Sequence, residues 1–410
     1  MIAGGLAAAG LPELTRSAWV EVDVDQLTAN AAALRGMVSP AALGAVVKAD
    51  GYGHGLEMTA RCAVTAGAEW LCVATVAEGS RLRIDGYQGR ILLLYPPPLS
   101  MLGTVTRERL DVSVGSLEMA ADIGRGEDRE LPLRVHVEVD TGMTRGGVHP
   151  RDLARVVTEI EAGHGSRLVG IWTHLSAPED PQVTSAQVEL FETTIRELDQ
   201  DLVAGLLTHV VASGGILTLD RPRDAFVRPG LVLYGSHPGP GRDLPPEMGP
   251  ALSVKARPVR VSRVTAGTRV GYGGDWVADR ESVIATLPIG YADGWSRSSS
   301  PGGEVLVEGQ RAPLVGRVSS DAVVVDVTDV PAVGVDTEFV LLGRQGGETI
   351  DADEVAVTRG TISWEVLQQL GSRLARVYVL KGAPVALRPE SVVELVWGDA
   401  GIVVGYDSAV

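Results

Sequence analysis

Eight short apolar runs rich in β-branched residues recur along the first part of the chain, and this regularity constrains the fold more than any other feature. They are Leu43–Val47, Leu71–Ala74, Ile91–Leu94, Val112–Val114, Leu133–Val139, Leu168–Trp172, Thr208–Ala212 and a last one near Phe226–Tyr234. A run of this length bounded by turn residues reads as a strand buried on both faces. The intervening pieces, such as Asp152–Ala162 and Ser185–Leu198, have helical spacing and good helix formers. Strands alternating with helices in this way predict an α/β fold, a (β/α)8 barrel of the TIM type. A doubly wound open sheet is the alternative, but no glycine fingerprint of the dinucleotide kind opens the first repeat.

The segments on either side read differently. Ala18–Val24 alternates like a strand, and Asp25 is placed to cap a helix running to about Gly36. Past Tyr234, the stretch His237–Pro246 is dense in Pro and Gly and reads as a linker. From about Ala251 to Leu387 short Val-rich strands and turn signals predict a smaller, mostly-β domain. The expected layout is an N-terminal extension over 1–16, disordered; a barrel over 17–248; a C-terminal β domain over 249–390; and a tail over 391–410.

A chain of 410 residues is long enough for two cores. Its net charge of -16 argues against a nucleic-acid partner. No run is long enough to span a bilayer, and no basic residue precedes the Gly/Ala-rich stretch Ile2–Leu11, a poor signal peptide. The two cysteines, Cys62 and Cys72, lie in apolar surroundings and read as buried thiols of a cytoplasmic enzyme.

Chemistry enters at Ala45-Val46-Val47-Lys48-Ala49-Asp50-Gly51-Tyr52-Gly53-His54-Gly55. Lys48 stands where a buried strand gives way to a glycine-rich loop. Desolvation there favours the neutral amine, the form that can bond covalently to an aldehyde. Ser213-Gly214-Gly215 after the seventh run and Arg228-Pro229-Gly230-Leu231 with the eighth fall where barrels of this type bind phosphate.

The Lys48 stretch resembles the pyridoxal-phosphate lysine motif of alanine racemases. The likeness continues through Asp140-Thr141-Gly142-Met143, Arg228-Pro229-Gly230, Arg269-Val270-Gly271-Tyr272-Gly273 and Pro288-Ile289-Gly290-Tyr291-Ala292-Asp293-Gly294. The resemblance implies an isomerase that uses pyridoxal 5'-phosphate, and no metal, to interconvert the enantiomers of alanine or a related small amino acid. Lys48 and Tyr272 would move protons on opposite faces of the α-carbon. Tyr52, Ser213, Gly230 and Leu231 would hold the cofactor phosphate. Arg228 would face the pyridine nitrogen, with His209 and His174 orienting it. Arg145 and Ser320 would bind the substrate carboxylate, and Tyr291 would line the entrance. Tyr272 would come from a second copy, which implies a head-to-tail homodimer.

Three positions depart from the family pattern. Glu138 stands where the family commonly has a carboxylated lysine, and it supplies the negative charge for Arg145 directly. In Val318-Ser319-Ser320-Asp321, serines replace the usual cysteine and methionine. Trp364 replaces a tyrosine that contacts phosphate, so one hydroxyl is lost. Ser320 and Trp364 raise the alternative of a larger or hydroxylated substrate such as serine. A related decarboxylase or aldolase is a further alternative, disfavoured by Arg228 and Tyr272, and a protein that binds the cofactor without turnover is a third.

Overall fold

The computed structural model describes residues 2–124, 132–162, 165–219, 224–239, 241–390 and 396–398. The described residues divide into two compact units, one within 28–51 and 56–248, the other within 2–27, 52–55 and 249–398.

The first unit is the barrel. Its strands are β1 (Ala42–Val46), β2 (Trp70–Val73), β3 (Arg90–Leu93), β4 (Asp111–Val114), β5 (Leu133–Glu138), β6 (Ser166–Trp172), β7 (Leu207–His209) and β8 (Phe226–Val227). All pair in parallel in the order β7-β6-β5-β4-β3-β2-β1-β8. The ring closes between β7 and β8 through a parallel bridge from Ala212 to Arg228 and the Arg228 N–H to Val211 O bond of 3.0 Å. Every residue of β2 and β4 is buried, as strands flanked by helices on one side and the barrel core on the other must be. The interior is filled by rings from different strands. The Trp70 ring lies tilted 5.1 Å from Phe226 and edge-on 5.6 Å from His136, and His209 lies edge-on 4.9 Å from Phe226. A side chain at Gly44 would fall 2.1 Å from the Phe226 ring, so the bulk of β8 dictates glycine in β1.

The helices follow from their caps and stripes. Helix Leu153–Glu161 buries Leu153, Val156, Val157 and Ile160, one face at helical spacing. Helix Pro181–Arg196 starts on Asp180, which accepts two amide hydrogens, with Pro181 at its first turn. The eighth run is shorter than expected. Its strand stops at Val227 and Leu231–Tyr234 forms a 3-10 turn, because Pro229 donates no hydrogen bond to a ladder.

The second unit is built on one long sheet. Strand Ala18–Asp23 pairs antiparallel with Leu252–Ala256 and parallel with Ala375–Leu380. It therefore belongs to the β sheet, not to the barrel, whose ring is completed by β1 against β8. This moves the start of the barrel past the expected residue 17. The helix that follows, Val24–Val38, is capped by Asp23, which accepts the Gln26 N–H at 2.9 Å, and not by Asp25. The N-terminal extension is ordered where described. Ile2–Ala8 is a helix, and its Leu6 is fully buried with Leu11, Trp19, Val377 and Leu387. The strand Val396–Trp397 adds to Ala383–Arg388. The tail residues 391–395 and 399–410 lie outside the described residues. No helix among the described residues is long and apolar enough to cross a membrane.

Candidate active site

β1 ends at Val46, and Lys48 opens a turn whose backbone is left-handed, with φ of 53° at Ala49, 55° at Asp50, 60° at Gly51 and 51° at Tyr52. That conformation costs an L-residue roughly 1–2 kcal/mol, so the turn has to be held by its surroundings. Glu78 Oε1 accepts the Ala49 N–H at 2.7 Å, while Oε2 accepts Ala74 N–H at 2.8 Å and Thr75 N–H at 3.1 Å. Asp50 Oδ1 accepts the Leu56 N–H at 3.2 Å. A Cβ at Gly51 would meet the Thr59 hydroxyl at 2.5 Å, so glycine answers both the backbone and the space.

Lys48 Nζ stands 5.6 Å from the centre of the Tyr95 ring, and the Arg145 guanidinium stands 5.7 Å from the same centre. Burial lowers the lysine pKa, the Arg145 cation lowers it further, and Glu78 opposes both. Tyr95, 40% exposed, was not foreseen as a site residue. The only sequence signal is an aromatic one residue past the third run and ahead of three prolines.

Arg228 lies buried on the Trp172 ring, 4.7 Å from its centre. Its Nη2 donates to Thr173 O at 2.9 Å, and its Nη1 donates to His209 O at 3.1 Å and to His209 Nδ1. Arginine can only donate, so His209 Nδ1 must accept and its proton sits on Nε2. That proton points to His136 Nδ1 at 3.1 Å, and His136 Nε2 in turn faces Asp111 Oδ2 at 3.4 Å. The direction of every bond in this chain is set by the arginine at its end. Burial keeps both imidazoles neutral by lowering their pKa values, against Asp111 in the case of His136. Burial also brings the guanidinium down to about 10, still a cation at neutral pH. His209 thus orients Arg228 directly. His174 makes no such bond. Burial, with Arg228, Arg145 and Lys48 adding their charges, lowers it to about 3, which places it among the same cations.

The loops after β7 and β8 meet at Ser213. Its Oγ accepts the Gly230 N–H at 2.9 Å and leaves its own hydroxyl proton to donate elsewhere. The bond engages the Gly230 amide, one of the groups expected at the phosphate. Leu231 is buried beside it. Glu138, at the end of β5, is buried, and its carboxyl is raised by that burial while Arg145 opposes the shift.

The remaining expected residues belong to the β unit. Tyr272 sits in a turn between Arg269–Val270 and Trp276–Val277, with positive φ at Gly271, Gly273 and Gly274, and is 69% exposed. Tyr291 and Ser320 are brought together by backbone bonds, Tyr291 N–H to Ser319 O at 3.1 Å and Ala292 N–H to Ser320 O at 3.0 Å. Asp321 pairs with Arg373 at 2.7 Å, and that hydrogen bond holds its carboxyl below the usual range. Trp364 lies on helix Ser363–Gln368, whose Leu367 carbonyl stands against Gly53, leaving no room for a side chain there. Arg376, fully buried, donates to the carbonyls of Gly53, Leu370 and Leu374 and so fastens the Tyr52–Gly55 segment to the end of that helix.

The chain thus combines a parallel barrel, carrying a lysine of lowered pKa at the carboxyl end of its first strand, with a separate mostly-β unit, the make-up of a two-domain barrel enzyme. Residues 22–238 match the alanine racemase N-terminal domain, and residues 251–378 match the alanine racemase C-terminal domain. The alanine racemase of Symbiobacterium thermophilum is 38% identical over 88% of this chain and 97% of its own length. That of Thermobifida fusca is 34% identical over 87% and 96%. Among solved structures, the alanine racemase of E. faecalis superposes with a TM-score of 0.82 at 33% identity, covering 89% of this chain and 98% of its own. The one from D-cycloserine-producing Streptomyces lavendulae gives 0.80 at 32% identity, covering 90% and 98%. The chain belongs to the alanine racemase family and is an isomerase, an amino-acid racemase of that type.

Proposed function

We propose that this chain racemises alanine with pyridoxal 5'-phosphate, and that Lys48, Arg228 and Ser213 hold the cofactor. The observation that carries this reading is Lys48 itself, a lysine of lowered pKa at the strand ends, sharing the Tyr95 ring with Arg145. The donor set suits the group. Arg228 has its two Nη groups committed to protein acceptors, and its Nε, without a hydrogen-bond partner among the described residues, is the donor left for a ring nitrogen. Ser213 keeps a hydroxyl proton for a phosphate oxygen. A relative from Bartonella henselae, 28% identical, has been solved with covalently bound pyridoxal phosphate.

Bound there, the cofactor supplies an electron sink that acidifies the α-hydrogen of an attached amino acid. Lys48 Nζ would hold the cofactor, and its amine would take or return the α-proton on one face. Tyr272 of the partner subunit serves the other face through its phenol oxygen, in a head-to-tail homodimer; its exposure leaves it available to a second copy. Arg228, remaining a cation, donates to the ring nitrogen without protonating it. Ser213, Leu231, Gly230 and Tyr52 cradle the phosphate. Arg145, kept in charge balance by Glu138, and the Ser320 N–H bind the carboxylate, Tyr291 lines the entrance, and Trp364 stands near the phosphate. A cytoplasmic site of action goes with two buried free thiols.

The test is conversion of L-alanine to D-alanine by protein loaded with pyridoxal phosphate, followed by chiral chromatography. Protein that carries the cofactor on Lys48 yet converts neither enantiomer, nor exchanges its α-hydrogen with deuterium oxide, would overturn the reading.

A further inference from the structure

The opposite end of the barrel carries a second arrangement that the reaction above does not use. At the amino ends of β3, β4, β5 and β6 a cavity of about 280 Å³ is lined by Arg90, Arg109, Arg134 and Arg167, over an apolar floor that includes Val105 and Leu133. One carboxylate, Asp111, faces these four guanidinium groups. Such a concentration of positive charge is out of keeping with a chain of net charge -16.

Among the described residues these four cations are only partly paired. Arg134 gives its Nε to both Asp111 oxygens, at 3.2 and 3.0 Å, and its two Nη groups have no hydrogen-bond partner among the described residues. Arg90 approaches Asp111 only at 3.9 Å. Arg109 donates to Gln88 at 2.7 Å. Arg167 is exposed and pairs with no group among the described residues. Several planar guanidinium forks around a small apolar floor suit an organic phosphate, which takes bidentate bonds at its charged end and buries its body against the floor.

Asp111 is also the last member of the chain that begins at Arg228 and passes through His209 and His136. Its oxygens therefore answer to two sets of donors, the arginines of the cavity and the imidazole of the barrel axis. An anion that draws Arg90 and Arg134 toward itself leaves more of Asp111 to His136. The altered pull passes along neutral imidazoles whose tautomers are already fixed. From this geometry we infer that the cavity binds a small organic phosphate, and that occupancy is transmitted through Asp111, His136 and His209 to Arg228.

The binding half stands independently of the racemase reading, whereas the coupling half rests on it, and two readouts separate them. Phenyl phosphate titrated into the cofactor-loaded enzyme by calorimetry should bind, benzyl alcohol should not, and Arg109→Gln with Arg167→Gln should weaken phenyl phosphate at least tenfold while basal activity is kept. Equal binding of phenyl phosphate to the double variant, or equal binding of benzyl alcohol, overturns the site. In the same titration the visible absorption of the cofactor should shift in the wild type. In Asp111→Asn, phenyl phosphate should still bind, with the shift abolished. Binding without a spectral shift in the wild type, or a shift that survives Asp111→Asn, overturns the coupling.

Discussion

Replacing Glu78 by glutamine should loosen the turn that carries Lys48 more than so small a change suggests. The carboxylate accepts three amide hydrogens, from Ala49 on one oxygen and from Ala74 and Thr75 on the other. Glutamine has one carbonyl oxygen, and its NH2 group cannot accept. The better orientation keeps the pair at Ala74 and Thr75 and turns the NH2 against the Ala49 N–H. A hydrogen bond to a charged acceptor contributes about 1.5–3 kcal/mol, and an abandoned donor costs about 1–3 kcal/mol. Counted once, for the abandoned Ala49 N–H, the expected loss is about 1–3 kcal/mol, concentrated on a turn that is already left-handed. Removing the negative charge also lowers the Lys48 pKa further, because Glu78 is the group that raises it. Hydrogen exchange followed by mass spectrometry should show faster exchange at Ala49 than in the wild type. The pH at which the Lys48 amine begins to react with an acylating reagent should move down. Unchanged exchange at Ala49 together with an unchanged reaction profile would refute the reasoning.

Other perturbations probe other parts. Leu6→Ala should free the N-terminal helix, at a local cost of about 2–5 kcal/mol, and speed proteolytic trimming there; an unchanged trimming rate would mean that Leu6 anchors nothing. Gly290→Ala places a Cβ 2.2 Å from Ser319 O and 2.5 Å from Ser320 O. It should destabilise by roughly 3 kcal/mol or more, which denaturant titration would report, and raise KM under the proposed roles of Tyr291 and Ser320. His174 is held near 3 in the folded state against an unfolded value of 6.5. As pH falls through 6.5 the unfolded chain gains a proton that the folded one refuses, so this group's contribution to stability falls with it until about pH 3. Wild type should lose stability faster than His174→Asn across that window, by about 1 kcal/mol per pH unit, and parallel curves would contradict it.

The eight barrel strands were legible because parallel strands buried on both faces leave near-continuous apolar runs, and Lys48 because a cation ends one of them. What escaped depended on partners distant in sequence. Ala18–Asp23 reads as a strand from its alternation, but its sheet is decided by pairing with Leu252–Ala256 and Ala375–Leu380. The Gly/Ala-rich Ile2–Ala8 becomes a helix because Leu6 finds a core supplied by Trp19, Val377 and Leu387. Tyr95 belongs to no motif, and only the fold brings it to Lys48 and Arg145. The bonds that tie Asp111 to His136 and His209 cross three strands of the barrel, and no spacing along the chain announces them.

In the proposed reaction Lys48 and Tyr272 serve opposite faces of one α-carbon. Loss of α-deuterium to water, measured separately from L- and D-alanine deuterated at that carbon, tests it most directly. The wild type should wash out both enantiomers. Tyr272→Phe should retain wash-out of one enantiomer, without inversion, and lose that of the other by more than about a hundredfold, the scale of one acid/base group. Equal loss for both enantiomers, or equal retention, would contradict the two-face assignment.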